Sequence, residues 1–254
     1  MVKSIAFTDL MRGFCRTSPG VAAAIAVNVA VFVVVRLMLL FNPSLIAVVK
    51  LPGSLEAIAA KPWTLLTFAF VQVDFLHLLV NMLILYFFGR RLRSLSRQRL
   101  FWLIYIAGAL AGALTFAATA RDASDSLVGS SASVMAVTVA AAVANPRHRV
   151  VIFPGVQVRM WVPAAVIVGI DVLTITEPDS TAHVAHIAGC LVGAAVGAVV
   201  LLLRRPVRPL AVQPRNNKGD DVGVILRKLR DSGHDSLTAE EKCRLFNLTD
   251  RSNR

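Results

Sequence analysis

Six long apolar segments constrain how this chain can fold more than any other feature of its sequence. They lie at about residues 20–41, 75–89, 100–119, 130–145, 158–176 and 183–203. A helix needs roughly 17–25 apolar residues to cross a bilayer, and helices satisfy their own backbone hydrogen bonds there. The second and fourth segments are short for a span. Even so, the set predicts an all-α membrane protein, a bundle of six transmembrane helices.

The composition supports a membrane location over a soluble one. The chain is 56% hydrophobic and only 17% charged, with a mean hydropathy of +0.66, whereas soluble domains average about 25% charged residues. The net charge of +12 could suggest a nucleic-acid partner, but that function needs a basic face on a soluble fold. The basic residues instead form short clusters between apolar segments. We therefore expect the chain to lie in a lipid bilayer and to bind no nucleic acid.

Basic residues occupy every second connection between the apolar segments, which predicts the orientation. The clusters are Lys3, Arg12 and Arg16; Arg90, Arg91, Arg93, Arg97 and Arg99; Arg147, Arg149 and Arg159; and Arg204, Arg205 and Arg208. The connections at 121–126 and 177–180 are net acidic. Because Lys and Arg mark cytoplasmic loops, both termini are expected in the cytoplasm.

The composition also divides the chain into regions. We expect a cytoplasmic N-terminal segment, a six-helix membrane domain, a linker and a small two-helix cytosolic module, at residues 1–19, 20–203, 204–220 and 221–254. Within the membrane domain, residues 42–74 are too apolar for a solvated loop and too broken by proline for a span, so they indicate an interfacial segment. The three cysteines (Cys15, Cys190 and Cys243) do not suggest a disulfide framework or a metal site.

Three polar clusters interrupt the apolar segments. They are His77 with Asn81, Ser131, and His186. Polar groups inside a bilayer are costly and often functional. In the expected topology their three segments all run inward from the outer side, so the clusters share one depth near that side.

Ser131 follows Gly129, which permits an unusual turn and a close backbone approach. The serine would begin a helix, where free N–H groups and the helix dipole stabilise negative charge. These properties suit a nucleophile beside an oxyanion site. The alternative is a capping serine within a helix interface of small residues.

His186 precedes glycines at a spacing of four, Gly189 and Gly193. Such a face lets another helix approach closely, and the fourth segment is the natural partner. His186 could then reach Ser131 as a general base, or it could make only a packing hydrogen bond. His183 is a rival base, and Asp171 is either a third member of a triad or a structural hydrogen-bond partner.

His77 and Asn81 lie four residues apart and therefore share one helix face. Both side chains can donate hydrogen bonds, which suits an oxyanion hole. Hydrogen bonds between helices are the alternative role.

Taken together, these residues resemble the rhomboid intramembrane serine proteases. The resemblance rests on His77-x-x-x-Asn81, Gly129-x-Ser131 and Ala185-His186-Ile-Ala-Gly189-x-x-x-Gly193, and it covers about residues 20–203. It implies a Ser131–His186 dyad, with His77, Asn81 and the Ser131 backbone N–H as oxyanion donors. The chain departs from the family pattern at Thr64, Phe68, Gln72, Ala132 and Met135.

The resemblance also implies a function: a serine endopeptidase that cleaves transmembrane protein substrates in or near their membrane segments, without a metal or other cofactor. We expect a multi-pass protein of a bacterial plasma membrane whose active site opens to the extracytoplasmic side. An inactive relative that binds membrane clients is one alternative. A transporter is another, but the inner halves of the polar segments are nearly all apolar, which disfavours a polar path. The sequence leaves the oligomeric state open.

Overall fold

The structure is a computed structural model that describes residues 15–95, 98–122, 124–153, 156–173, 180–203 and 222–242. The chain forms two compact units, residues 1–204 and 205–254. The expected linker at 204–220 lies outside the described residues, as does most of the expected N-terminal segment.

The first unit is helical. Its apolar helices are α1 (Pro19–Phe41), α4 (Phe75–Ile84), α6 (Gln98–Thr119), α7 (Ser131–Ala144), α8 (Trp161–Leu173) and α9 (Ser180–Leu203). Among the described residues, four helical stretches are long and apolar enough to cross a membrane: Pro19–Phe41, Phe75–Ser94, Gln98–Thr119 and Ala182–Leu203. The helices α7 and α8 are shorter apolar helices. The helical class predicted from the sequence is therefore confirmed.

The helix α4 starts at a side-chain cap. The carboxylate of Asp74 accepts a hydrogen bond of 2.7 Å from the backbone N–H of His77, which satisfies one of the free donors at the helix start. The helical path continues through a π-helical turn at Leu85–Gly89 into α5 (Arg90–Leu95). The cap therefore sets the start of the helix that carries His77 and Asn81.

The connection at residues 42–74 contains short elements and does not span. They are a 3-10 turn (Pro43–Val48), β1 (Leu51–Pro52), α2 (Leu55–Ala60), α3 (Thr64–Thr67) and a second 3-10 turn (Phe68–Phe70). Leu51 and Phe68 are buried in a cluster with Ala109 and Phe116 of α6. The strand β1 pairs antiparallel with β2 (Ser126–Leu127), so this connection holds the chain that leads into α7.

The expected boundary of the fifth apolar segment is wrong. The sequence suggested a helix over 158–176, but the helix begins at Trp161, and Val158 belongs to a hairpin of β3 (Arg149–Phe153) and β4 (Val156–Arg159). Both strands are rich in valine, and β3 also contains an isoleucine. Such β-branched residues favour extended backbone. Residues 174–176 lie outside the described part of the chain.

The helix α7 forms the centre of the first unit. It has 14 residues, and all but Val139 and Val143 are buried. Its alanines and serines let neighbouring helices come close: a Cβ added at Gly108 of α6 would lie 2.5 Å from the Cβ of Ala136. A short, small-residue helix therefore packs against the longer helices α6 and α9, and its first residue is Ser131.

In the second unit, α10 spans Val222–Ser232 and is followed by Gly233, whose φ of 75° suits a glycine at a helix end. A reciprocal capping box follows. The backbone N–H of Thr238 donates to the carboxylate of Glu241 over 2.8 Å, and the N–H of Glu241 donates to the hydroxyl of Thr238 over 3.3 Å.

Candidate active site

Ser131 and His186 are hydrogen-bonded to each other. The Nε2 atom of His186 lies 2.6 Å from the Oγ atom of Ser131. Ser131 is the first residue of α7 and is 9% exposed, while the side chain of His186 is 16% exposed. A serine hydroxyl with an imidazole in contact and a helix N-terminus beside it is the arrangement that an activated nucleophile requires.

Glycines on α9 make this distance possible. A Cβ at Gly189 would collide with the carbonyl oxygen of Ala132, and one at Gly193 would collide with that of Ala136. One turn further on, a Cβ at Gly197 would lie 2.8 Å from the carbonyl oxygen of Ala140. The backbone of α9 thus lies directly on the backbone of α7, and His186 reaches the start of the neighbouring helix.

Gly129 shapes the space in front of the serine. Its φ is +129°, a conformation that favours glycine, and its N–H donates to the carbonyl of Phe68 over 3.0 Å. A Cβ at this position would lie 3.5 Å from Oγ of Ser131 and 3.6 Å from Cε1 of His77. Gly129 therefore lies between the serine and His77, and the missing side chain leaves room between them.

Asn81 contributes an unpaired donor. Its side chain is buried, and within the described part of the chain its Nδ2 atom has no hydrogen-bond partner. It lies one turn after His77 on α4, which packs against α7. Buried amide donors are normally satisfied, so an unsatisfied one on a helix that packs against α7 is a candidate hydrogen-bond donor to a ligand.

Asp171 joins the site from α8. Its Oδ1 atom lies 2.9 Å from Nδ1 of His186 and 2.8 Å from Nδ1 of His183. The two imidazole rings stand edge to face, with their centroids 5.8 Å apart. The sequence left the role of Asp171 open between a triad member and a structural partner. The structure brings it to the side of His186 opposite Ser131.

Within the described residues, Asp171, His183 and His186 form a group that could hold a metal ion. Each offers one ligand atom, and these atoms lie within 4.8 Å of one another. The distances of 2.8 and 2.9 Å show that the carboxylate is already hydrogen-bonded to both rings.

A family model described as the rhomboid domain matches residues 59–203, which is more than half of the chain. The chain belongs to the rhomboid family. A curated relative is the "RHOMBOID-like protein 12, mitochondrial" of Arabidopsis thaliana, which is 29% identical over 148 residues. That match covers 52% of this chain and 44% of the relative, so this rhomboid chain spans less than half of the relative's length.

Two features of this rhomboid site were not singled out as functional in the sequence. Gln72, noted only as a departure from the family, donates from Nε2 to the hydroxyl of Ser130 over 2.6 Å and is buried. On α6, a Cβ at Gly112 would lie 2.7 Å from the Cβ of Ala132. The spacing of Gly108 and Gly112 matches the four-residue spacing on α9 and could have indicated this contact, whereas no sequence signal links Gln72 to Ser130.

Proposed function

We propose that this chain is an intramembrane serine endopeptidase that hydrolyses peptide bonds in or near transmembrane segments of other membrane proteins. Ser131 is the nucleophile and His186 is the general base. The observation that carries the proposal is the 2.6 Å hydrogen bond between them, placed at a helix N-terminus in a chain of the rhomboid family.

The reaction proceeds in two steps. His186 accepts the proton of Ser131 at Nε2 while Oγ attacks the scissile carbonyl, and the imidazolium then donates that proton to the leaving amine. A water molecule, deprotonated by the same imidazole, then attacks the acyl carbon; the bond from this carbon to Oγ of Ser131 breaks, and the imidazolium returns the proton to Oγ. No step needs a metal or another cofactor.

The negative oxygen of the tetrahedral intermediate is stabilised by the backbone N–H of Ser131 and the side chains of His77 and Asn81. Two observations support this assignment: Nδ2 of Asn81 has no hydrogen-bond partner among the described residues, and Gly129 adjoins both Ser131 and His77. Preorganised donors of this kind lower the barrier because they need no rearrangement when the charge develops.

All six apolar helices cross the membrane in the proposed topology, as a single membrane domain over 20–203 followed by a cytosolic module. Ser131, His77 and His186 lie in the N-terminal parts of α7, α4 and α9. With the arginine-rich connections in the cytoplasm of a bacterial plasma membrane, these helix starts lie toward the extracytoplasmic side, where water can enter.

The partners are transmembrane protein substrates. A peptide bond inside a regular helix is shielded by its own turn, and unwinding it in lipid exposes unsatisfied backbone groups. Substrates with helix-breaking residues near the scissile bond are therefore cleaved faster. A comparison of membrane-protein fragments in cells that carry wild type or Ser131→Ala identifies them.

Labelling with a fluorophosphonate probe tests the nucleophile. The purified wild-type protein is expected to label, and Ser131→Ala is not. Ser133→Ala is the matched control, because Ser133 lies two residues along the same helix, is buried, and has an Oγ without a partner among the described residues. Equal labelling of Ser131→Ala and wild type contradicts the assignment. A wild type that neither labels nor cleaves in lipid supports an inactive, client-binding rhomboid-like protein instead.

A further inference from the structure

One carboxylate oxygen faces two imidazole rings at this site. Oδ1 of Asp171 lies 2.9 Å from Nδ1 of His186 and 2.8 Å from Nδ1 of His183. An ionised carboxylate only accepts hydrogen bonds. Both Nδ1 atoms must therefore carry a proton for both contacts to be hydrogen bonds.

For a neutral ring, this requirement selects the tautomer of His186. A neutral imidazole has one N–H, and placing it on Nδ1 leaves a lone pair on Nε2. Nε2 is the atom that lies 2.6 Å from Oγ of Ser131. Hydrogen bonding to Asp171 thus selects the tautomer that can accept the serine proton, and the negative charge also stabilises the imidazolium that forms afterwards.

His183 acts on the carboxylate. It lies one turn before His186 on α9, and its side chain is 25% exposed against 12% for Asp171. Two rings on one helix share a single oxygen of Asp171, which restricts rotation of the carboxyl group about its last bond. His183 therefore holds the acceptor in place through the oxygen that it shares with His186.

We infer that Asp171 is a positioning residue, that it holds His186 in the Nδ1–H tautomer facing Ser131, and that His183 acts through it. The inference rests on the proposed function and extends the expected Ser131–His186 dyad by an acidic member. The competing explanation is a structural hydrogen bond between α8 and α9, which stabilises helix association and does not affect the chemistry.

Asp171→Asn separates these explanations, because the amide keeps the shape of the side chain but can donate to Nδ1 and favour the opposite tautomer. The expected result is a fall in kcat and in the fluorophosphonate labelling rate of at least about 100-fold, because the corresponding change in serine proteases lowers kcat through the wrong tautomer. We expect KM to stay within about twofold of wild type, since the substrate-binding groups are unchanged. Glu56→Gln, at an exposed acid in the first turn of α2, is the control and keeps the wild-type rate.

His183 is tested by a double-mutant cycle. His183→Ala is expected to lower kcat by about 3- to 10-fold, and adding it to Asp171→Asn is expected to have no further effect, because its influence passes through the carboxylate. Effects that multiply in the double variant contradict this part of the inference.

A measurement that does not depend on activity completes the test. In full-length protein with ¹⁵N-labelled histidine, NMR in detergent micelles is expected to show His186 as the Nδ1–H tautomer in wild type and shifted toward Nε2–H in Asp171→Asn. The inference is overturned if wild-type His186 is the Nε2–H tautomer, or if folded Asp171→Asn labels within threefold of wild type. If Asp171→Asn does not fold, the wild-type spectrum decides. An inactive wild type with the Nδ1–H tautomer refutes the protease function and leaves the positioning geometry standing.

Discussion

The carbonyl oxygen of Ala132 lies against Gly189 so closely that no Cβ fits between them. Ala132 follows the candidate nucleophile, and Gly189 comes one turn after the candidate base. The packing of α9 on α7 therefore sets the distance between Ser131 and His186. A substitution that moves the two helices apart must also lengthen this distance.

Gly189→Ala is predicted to impair stability and activity at the same time. The added methyl group forces α9 away from α7, which costs about 1–3 kcal/mol for an overpacked core. A displacement of about 1 Å at reacting groups can lower the rate about 100-fold. Thermal unfolding and the fluorophosphonate labelling rate measure the two effects. Gly169→Ala is the matched control, since no atom lies within 4 Å of a Cβ at that helical position. A Gly189→Ala protein with wild-type labelling contradicts the packing argument.

Gly129→Ala is predicted to reduce activity by two separate effects. The residue has a φ of +129°, which strains any residue with a Cβ, and the new methyl group would enter the space between Ser131 and His77. The expected result is a fall in kcat of at least about 100-fold, in the range for a lost oxyanion-hole donor. Steady-state kinetics on a transmembrane substrate provide the measurement. A change in KM with an unchanged kcat would place the effect on binding and refute the proposed role.

Asn81→Ala is predicted to lower kcat by about 100- to 1,000-fold, because the amide is expected to act mainly in the transition state. The folded protein should lose little stability, since Nδ2 of Asn81 has no hydrogen-bond partner in the part of the chain that the structure describes. Asn28→Ala gives the opposite pattern. The Nδ2 atom of Asn28 donates to the carbonyl of Ala24 over 2.8 Å and to the hydroxyl of Tyr105 over 3.0 Å, so its loss should lower the melting temperature. Equal melting temperatures and equal kinetics for the two variants would contradict both assignments.

The sequence predicted the helical class and the contact of His186 with Ser131, because both depend on strong local signals. Long apolar segments specify helices, and the four-residue glycine spacing on α9 indicated a close partner for the helix that carries His186. The start of α7 could be predicted although the helix is short, because Gly129 and Ser131 mark it.

Other parts of the site depend on contacts that sequence spacing does not reveal. Asp171 and His186 are separated by 15 positions in the sequence, so their hydrogen bond depends on how α8 packs beside α9. The link from Gln72 to Ser130 crosses 58 positions. The hairpin at 149–159 was missed because its valines continue the apolar pattern of α8, and hydropathy does not distinguish a short strand from a helix end.

The capping box of the second unit is predicted to make that unit sensitive to acid. The N–H of Thr238 and the ammonium group of Lys228, 3.0 Å away, hold the pKa of Glu241 below its ordinary value of 4.5. A lowered folded-state pKa means that the ionised carboxylate stabilises the fold. This stabilisation is fully present above pH 4.5 and is lost as the pH falls through the lower folded-state value.

The Thr238 amide resonance in full-length protein is expected to move toward its unfolded position in that range, and Glu241→Gln is expected to abolish the titration. Glu240→Gln, at the exposed neighbouring position, should titrate like wild type. An unchanged titration in Glu241→Gln would show that another group controls this end of the chain.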